Sequence, residues 1–156
     1  MEIQLIRAFV EDVETLWKMQ VRSFAELLNK YQDYETNPAN ESVDKVIGRL
    51  QQDSTYFYFI RYGEQIVGAN RVIHNSDNDI RKRISPIFVL PEFRNRGIAA
   101  MAIAKAEELH GSDNWELETI LQEPGNCHLY EKLGYRQTGK TEVINEKKTL
   151  VFYQKD

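Results

Sequence analysis

One stretch decides the fold of this chain: Val89-Leu90-Pro91-Glu92-Phe93-Arg94-Asn95-Arg96-Gly97-Ile98-Ala99. It joins an apolar segment to an amphipathic one through a basic turn that contains a glycine. The segment before the turn, Ile84 to Leu90, is rich in β-branched and aromatic residues and stops at a proline, which predicts a buried strand. Beyond the turn, apolar residues recur at helical spacing and predict a helix that begins near Arg96 or Gly97: Ile98, Met101, Ala102 and Leu109.

The turn between this strand and this helix is suited to bind an anion. The first backbone N–H groups of a helix have no partner within it, and the helix dipole places about half a positive charge there. Gly97 leaves room for a phosphate beside the backbone, and small Ala99 and Ala100 keep the turn open. Arg94 and Arg96 add positive charge, so the sequence predicts a pyrophosphate site. The alternative is a glycine that serves only packing or capping.

Two motifs along the chain resemble one known family. The run V-x-P-x-F-R-x-R-G-x-A is similar to the acyl-CoA signature of the GNAT superfamily of N-acetyltransferases, whose core (Q/R)-x-x-G-x-(G/A) falls here on Arg94, Gly97 and Ala99. The run Leu129-Tyr130-Glu131-Lys132-Leu133-Gly134-Tyr135 resembles the L-Y-E-K-L-G-F segment that closes the same family's cofactor site. The resemblance covers residues 84–135 and implies an acyl-CoA-dependent N-acetyltransferase.

The rest of the chain predicts the other elements of one mixed sheet. Helical spacing extends from Val13 to Leu28 and from Val43 to Leu50. Strand patterns occupy seven places: Ile3 to Ile6, Thr55 to Ile60, Ile66 to His74, Ile80 to Leu90, Trp115 to Leu121, Val143-Ile144 and Leu150 to Tyr153. The expected fold class is α/β, with a GNAT-like, mixed and mainly antiparallel central sheet of about seven strands flanked by helices. We expect a single domain over residues 1–156.

Composition excludes several classes of protein. A chain of 156 residues can bury a core without disulfides, and a formal net charge of −4 argues against a general binder of nucleic acids or membrane surfaces. The amino terminus lacks a signal pattern, and no segment approaches the apolar length of a membrane span. The single cysteine, Cys127, fits a reducing compartment. We therefore expect a cytoplasmic protein.

The resemblance also implies which residues contact acetyl-CoA, the co-substrate of the family. The pantetheine arm would pair with the backbone of Ile87, Phe88 and Val89, on a strand that diverges from its neighbour. Many members of the family carry asparagine where this chain has Glu123, and the nearby Asn126 is either a cofactor contact or a helix cap. The pyrophosphate would lie on the turn and the start of the helix: Arg94, Asn95, Arg96, Gly97, Ile98, Ala99 and Ala100.

Acetyl transfer to an amine also requires proton transfers. Tyr130 is the candidate acid, because a phenol with a pKa of about 10 is protonated at neutral pH and can donate to the departing thiolate. A purely structural tyrosine is the alternative. Glu118 matches a frequent acidic position of the family and is the candidate base, while Glu116, Glu123 or an amine that arrives neutral are the alternatives. Glu118 is equally suited to a solvated or ion-paired role.

A metal site is not predicted. His74, His110 and His128 have no metal-ligand spacing with one another or with Cys127. Cys127 and His128 are neighbours on a predicted helix and therefore point in different directions, which argues against a Cys/His nucleophile. Cys127 is expected to be a small buried residue.

A second glycine segment, Gly134 to Thr141, fits the P-loop expression G-x-x-x-x-G-K-(S/T) at every position. A P-loop requires a strand before it and a helix after it, so that helix N–H groups hold the phosphates. Here the predicted helix, Leu129 to Leu133, comes before the segment and the predicted strand, Glu142 to Ile144, comes after it. The sequence therefore argues against an NTPase.

The expected function is transfer of an acetyl group from acetyl-CoA to a primary amine, by direct attack in a ternary complex and without a metal. The alternatives are an inactive acyl-CoA-binding module and, less favoured, the P-loop NTPase. The acceptor is a small-molecule or peptide amine. A cationic one would suit the rings and acids of one part of the chain: Tyr31, Tyr34, Tyr56 and Tyr58, with Asp33 and Glu35. No nucleic acid or membrane partner is expected. Members of the family often pair through their terminal strands, so a homodimer is an expectation.

Overall fold

A computed structural model describes residues 2–156, and Met1 lies outside the described residues. The helices and strands follow in the order β1 (Ile3–Arg7), α1 (Val13–Tyr31), α2 (Val43–Leu50), β2 (Thr55–Tyr62), β3 (Gln65–Ile73), β4 (Lys82–Val89), α3 (Ile98–His110), β5 (Trp115–Ile120), α4 (Pro124–Lys132), β6 (Arg136–Val143) and β7 (Thr149–Lys155). Short 3-10 turns lie at Val10–Asp12, Pro38–Asn40 and Pro91–Phe93.

The strands form one seven-stranded sheet in the order β1-β2-β3-β4-β5-β7-β6. β4 and β5 are parallel, and the other neighbouring strands are antiparallel. This arrangement confirms the predicted fold class. Within residues 2–156, no helix has both the length and the apolar character needed to cross a bilayer.

The helices cover the two faces of the sheet because strand residues alternate between those faces. On β2, Phe57 and Phe59 pack under α1 and α2, against residues such as Leu16 and Val46. The opposite face carries α3 and α4, whose buried residues pack on β5 and β7: Ile103, Ala106, Cys127 and Tyr130 against Trp115, Leu117, Val151 and Tyr153. The sheet therefore separates an α1–α2 face from an α3–α4 face.

The parallel seam between β4 and β5 opens towards one end. The two strands pair only at Lys82 with Trp115 and at Arg83 with Glu116. Strand β4 remains paired with β3 as far as Val89, where Gly68 lets the two strands approach so closely that an added Cβ would collide with the Phe88 carbonyl oxygen. Beyond the pairs at Lys82 and Arg83, β4 therefore presents an edge that β5 does not cover. The divergence that the resemblance implied is present.

The last hairpin begins earlier than the sequence predicts. Strand β6 covers Arg136–Val143, whereas the prediction placed a strand only at 142–144, and Ile144 lies outside it. All eight residues of β6 are exposed, and the strand forms the edge of the sheet with β7 as its neighbour. Because an edge strand of this kind buries neither face, its sequence carries no apolar alternation, and the prediction missed most of its length.

Two helix predictions also need correction. Helix α4 begins at Pro124 rather than at Leu129, because proline is well suited to the first turn of a helix. In α3, Leu109 was predicted to belong to the apolar face, yet it is exposed. Glu107, a charged residue of the same helix, is half-buried, and it accepts hydrogen bonds from Tyr135 and Lys155.

Candidate active site

A cavity of about 510 Å³ lies where β4 and β5 diverge. Its volume is in the range of small-molecule sites, about 300–1,000 Å³. Its walls come from α1, the end of β4, the turn before α3, the first residues of α3, and α4 as far as Tyr130. One cavity thus connects a helix N-terminus with the uncovered edge of β4 and with α4.

Most residues predicted to contact acetyl-CoA line this cavity: Ile87, Phe88, Val89, Arg94, Asn95, Gly97, Ile98, Ala99, Ala100 and Asn126. Arg96 differs from them. Its side chain is exposed, its guanidinium carbon lies 5.4 Å from the centre of the Phe93 ring, and the described residues that line the cavity do not include it. No sequence pattern indicated the α1 wall, because helical spacing shows only that a face is buried and not what it borders. This wall is formed by Ser23, Phe24, Glu26 and Leu27.

The turn before α3 presents backbone N–H groups to the cavity. Asn95 and Gly97 have positive φ values of 64° and 76°, and Gly97 precedes the first residue of the helix. A Cβ added at Gly97 would meet nothing within 4 Å, so the space beside its backbone is open. Within the described chain, no side chain caps this helix terminus. The unpartnered N–H groups and the helix dipole therefore fit a phosphate group.

Arg94 connects this turn to α1. Its Nη2 donates to the Ser23 carbonyl oxygen at 2.5 Å, its Nη1 donates to Glu26 Oε2 at 3.1 Å, and its Nε donates to the Val89 carbonyl oxygen at 3.4 Å. The charge of Arg94 is thus partly offset by Glu26. Arg94 holds the turn in place in addition to supplying positive charge at the cavity.

Tyr130 enters the same cavity from α4. Its ring packs against those of Tyr135 and Tyr153, with centroid distances of 6.2 and 6.1 Å. Burial, with a smaller contribution from Cys127, raises the pKa of Tyr130 to about 12. Among residues 2–156, no group forms a hydrogen bond with its hydroxyl. Tyr130 is therefore a protonated phenol whose hydroxyl is available to a bound molecule.

Glu118 lies on the other side of the sheet from Tyr130. Leu117 packs with Tyr130 on the α3–α4 face, so the next residue on β5 points to the α1–α2 face. There Arg83 donates from Nη2 to Glu118 Oε1 at 3.1 Å and from Nη1 to Glu116 Oε1 at 3.2 Å. The two residues predicted to be catalytic thus occupy opposite faces, and Glu118 is ion-paired.

Glu123 is a carboxylate that lines the cavity together with Tyr130. Its Oε2 accepts a hydrogen bond from Lys30 Nζ at 2.7 Å and another from the Tyr31 hydroxyl. Partial burial raises the pKa of Glu123, but the hydrogen bonds from Lys30 and Tyr31 outweigh burial and hold it below its usual value. Glu123 also occupies the N-cap position of α4, so the alternative role of Asn126 as the cap is wrong.

A buried contact fixes the end of α1 next to Glu123. Lys148 Nζ lies 2.7 Å from Asp33 Oδ2, and the two side chains are 6% and 2% exposed. Asn145 Nδ2 donates to the Tyr31 carbonyl oxygen at 2.9 Å. The turn between β6 and β7 therefore holds the chain at Tyr31 to Asp33. No local pattern predicts this contact, because its partners are far apart in sequence.

Two of the three histidines meet outside the cavity. His74 Nδ1 and His110 Nδ1 are 2.9 Å apart, and His110 Nε2 is 2.8 Å from the Tyr58 hydroxyl. Burial, together with the charges of His74 and Lys82, lowers the pKa of His110 to about 4, and burial also lowers the pKa of His74. Within the described part of the chain, no group of three or more His, Cys, Asp or Glu side chains is arranged to hold a metal ion. Cys127 is buried, as predicted.

The second glycine segment has no phosphate-binding geometry. Residues 136–141 belong to strand β6, and α4 precedes them. Lys140 Nζ lies 4.4 Å from the centre of the Phe152 ring. Because no helix starts after Lys140, the segment lacks the N–H groups that hold phosphates in a P-loop. The structure therefore contradicts the NTPase alternative.

The fold and the cavity together define an acyltransferase-like α/β protein, with a glycine turn at a helix N-terminus beside an open parallel seam. The family model described as "Acetyltransferase (GNAT) family" matches residues 14–135. The chain belongs to the GNAT acetyltransferase family, which confirms the resemblance seen in its sequence. No curated protein matches the chain.

Solved structures of acetyltransferases share this fold. An acetyltransferase from Thermus thermophilus has a TM-score of 0.72 and 14% identity, and the match covers 98% of this chain and 96% of that one. PaiA N-acetyltransferase from Thermoplasma acidophilum, in complex with coenzyme A, has a TM-score of 0.72 and 15% identity, with 100% of both chains covered. A chimera of the spermidine N-acetyltransferase SpeG from Vibrio cholerae and hSSAT has a TM-score of 0.76 and 15% identity, covering 99% and 96%.

Proposed function

We propose that this protein transfers an acetyl group from acetyl-CoA to a primary amine, which attacks the thioester directly in a ternary complex. The observation that carries the proposal is a single cavity that joins the N–H groups at the start of α3, the uncovered edge of β4 and the Tyr130 side chain. Membership of the GNAT family supports the same chemistry. The titles of similar structures name coenzyme A and spermidine acetylation for those proteins.

The lining of the cavity supports one placement of acetyl-CoA. In this proposal its pyrophosphate lies at the start of α3, against Asn95 and residues 97–100, with Arg94 of the cavity wall and the exposed Arg96 outside it supplying charge. Its pantetheine arm follows the β4 edge, where Ile87, Phe88 and Val89 present backbone groups that β5 does not use. Asn126 lines the wall beside Tyr130 and is a further candidate contact. The thioester then lies in the open seam, next to Tyr130.

The open seam gives the reaction two accessible sides. The amine nitrogen forms a bond to the carbonyl carbon, the carbon–sulfur bond breaks, and Tyr130 protonates the departing sulfur from the α3–α4 face. The nitrogen loses its proton on the α1–α2 face, where Glu118 is our candidate base, acting directly or through water. Holding the amine and the thioester together contributes proximity, which is worth about 7–11 kcal/mol in favourable cases.

Calorimetric titration with acetyl-CoA and thiol release in the presence of amines test the proposal. We expect saturable binding of acetyl-CoA and thiol release that depends on the amine. Binding without thiol release over a wide amine panel would instead identify an inactive acyl-CoA-binding module. Absence of acetyl-CoA binding would contradict the proposal as a whole.

Three further proposals concern the whole chain. Residues 1–156 act as one acetyltransferase domain, since β1 and β7 belong to the same sheet. Two copies pair through β6, whose residues are exposed along its full length, and light scattering would test this pairing. The protein works in the cytoplasm, where its buried Cys127 thiol would stay reduced.

A further inference from the structure

We infer that Glu123 binds the ammonium group of the acceptor, and that the acceptor is therefore a cationic primary amine. This inference rests on the proposed function, because it assigns the acceptor to the same cavity. Glu123 is a specificity-determining residue in this inference, distinct from the proton-transfer roles of Tyr130 and Glu118.

The position of Glu123 suits an incoming amine. It stands at the start of α4 and lines the cavity with Tyr130, yet its carboxylate reaches the end of α1, on the opposite face from the Tyr130 ring. The amine attacks the thioester carbonyl carbon from above the plane of the thioester, whereas the sulfur lies within that plane, so different groups of the site hold the nucleophile and the sulfur. A carboxylate towards the α1 side is therefore suited to hold the ammonium while Tyr130 faces the sulfur. The nitrogen attacks only after this ammonium has lost a proton, which passes to Glu118, the candidate base of the proposed function, directly or through water.

The protein itself places a primary ammonium on this carboxylate. Lys30 Nζ lies 2.7 Å from Glu123 Oε2, so an alkylammonium group fits the local geometry. The Lys30 side chain is 59% exposed and the Glu123 side chain 24%, so the contact is open to competition by another ammonium. The ligand that we assign to Glu123 carries the same chemical group as Lys30, a primary ammonium.

Glu123 also keeps capacity for a second ammonium. Both hydrogen bonds, from Lys30 and Tyr31, go to Oε2, and among residues 2–156 no group donates to Oε1. A carboxylate offers about four acceptor sites, so one oxygen remains for a ligand. An acceptor can therefore bind at Oε1 without complete displacement of Lys30.

Neighbouring residues keep the Glu123 carboxylate ordered before a ligand binds. Tyr31 is buried, and its backbone is fixed by Asn145 and by the buried Asp33–Lys148 ion pair in the same segment. Arg94 is a cation of the cavity wall, and its ion pair is with Glu26 rather than with Glu123. The negative charge of Glu123 is consequently opposed mainly by the exposed Lys30, and a cationic ligand meets an already ordered anion.

Steady-state kinetics with butylamine and 1,4-diaminobutane test the inference. We expect Glu123→Gln to raise KM for both amines roughly 10- to 100-fold, the effect of losing one charge-assisted hydrogen bond, with kcat changed far less. The dissociation constant of acetyl-CoA, measured by calorimetry, should not change. Lys30→Met should lower the KM of the amines, since it removes the competing ammonium.

The Glu14–Lys18 ion pair provides matched controls on the exposed side of α1. The distance from Lys18 Nζ to Glu14 Oε1 is 3.0 Å, and the side chains of Glu14 and Lys18 are 74% and 64% exposed. Glu14→Gln and Lys18→Met change the same charges outside the cavity and should leave KM for the amines unchanged. If these variants shifted KM as much as the changes at Glu123 and Lys30, net charge would explain the effect and the inference would be wrong.

Other outcomes separate failure of the inference from failure of the proposed function. A fall in kcat at unchanged KM in Glu123→Gln would make Glu123 a proton acceptor rather than an ammonium site, and weaker acetyl-CoA binding would make it part of the cofactor wall. If wild-type protein turned over no amine, NMR titration with 1,4-diaminobutane would still decide the matter. Shifts at α4 that Glu123→Gln abolishes would support the ammonium site, and their absence in wild-type protein would overturn it.

Discussion

Two segments of this protein are similar in sequence and different in physical character. Residues 94–99 and 134–141 both combine basic residues with a glycine of positive φ, 76° at Gly97 and 92° at Gly139. At both glycines an added Cβ would meet nothing within 4 Å. The first segment leads into α3 beside the open seam, whereas the second lies almost entirely in the edge strand β6.

The difference shows what makes a phosphate site. At the start of a helix, several N–H groups point the same way without partners, and their dipoles add. In a strand, successive N–H groups point in opposite directions and the dipoles largely cancel. The basic side chains and the glycine contribute only where the backbone already presents such a group of donors.

The largest expected effect is on kcat, and it should distinguish one tyrosine of the first region from one tyrosine of the second. Tyr130 lines the cavity of the first segment, and Tyr135 belongs to the second segment, where its hydroxyl donates to Glu107 Oε2 at 3.1 Å. We expect Tyr130→Phe to lower kcat by about 100-fold or more, since general acid catalysis contributes at least that much. Tyr135→Phe should retain kcat near that of the wild type. Steady-state thiol release measures both, and an active Tyr130→Phe enzyme would exclude the acid role.

A smaller effect is expected from the two glycines. Gly97→Ala and Gly139→Ala each place a Cβ in a left-handed conformation, at a cost of about 1–2 kcal/mol of unfolding free energy. Only Gly97→Ala should weaken acetyl-CoA binding, by roughly 10-fold or more, because its Cβ lies where the phosphate would approach. Denaturant unfolding and calorimetry separate the two properties. If the two variants bound acetyl-CoA with equal affinity, the proposed placement of the pyrophosphate at the α3 turn would be wrong.

Substitutions of the basic residues in the two segments should produce a smaller difference in acetyl-CoA affinity than the glycine substitutions. Arg94→Gln should weaken acetyl-CoA binding by roughly 5-fold, about 1 kcal/mol, and the loss should shrink at high salt. It should also lower the melting temperature, because Arg94 holds Ser23 and Glu26 of α1. Lys140→Gln should change neither acetyl-CoA affinity nor ATP binding, which we expect to be undetectable. ATP binding that depends on Lys140 would restore the P-loop interpretation.

The smallest expected effect is on the pH dependence of stability, and it involves two histidines that lie outside both segments. His74 and His110 have native pKa values below 6.5, so the unfolded chain binds more protons below about pH 6.5. The contribution of these two histidines to the free energy of unfolding is therefore fully present above pH 6.5, and it decreases as the pH falls towards 4. The double variant His74→Gln/His110→Gln should flatten this dependence in denaturant unfolding, and the exposed His128→Gln should not.

This pH dependence also checks the glycine comparison. Gly97→Ala and Gly139→Ala should both keep the wild-type slope of stability against pH, because neither glycine contacts the histidine pair. A changed slope in either variant would mean that the packing has been disturbed beyond the turn. Its ligand affinity would then no longer report on the turn alone.

Periodicity predicted the elements that bury a face. Helix α1 was expected from Val13 to Leu28 and extends to Tyr31, and β2 and β3 lie where β-branched and aromatic residues alternate. Strand β6 was largely missed, because an exposed edge strand is held by backbone hydrogen bonds that accept almost any side chain. Sequence patterns thus report burial, and they fail where an element forms without it.

For the candidate site, local sequence identified the turn at Gly97, the β4 edge and Tyr130. These are features of a strand, a helix terminus and a short helix, each specified by residues close together in the chain. The role of Glu118 remains a prediction, and its pairing with Arg83 joins strands that are far apart in sequence. The contact of Glu123 with Lys30 and Tyr31 likewise depends on how α1 meets α4.

The sequence by itself determined the order of helices and strands, the anion-binding turn and the family, because periodicity and backbone conformation depend on neighbouring residues. Only the tertiary structure decided which side chains share the cavity, and that Tyr130 and Glu118 face opposite sides of the sheet. It also decided why residues 94–99 can hold a phosphate and residues 134–141 cannot. A binding site requires groups to converge in space, and convergence follows from packing between segments that the chain keeps far apart.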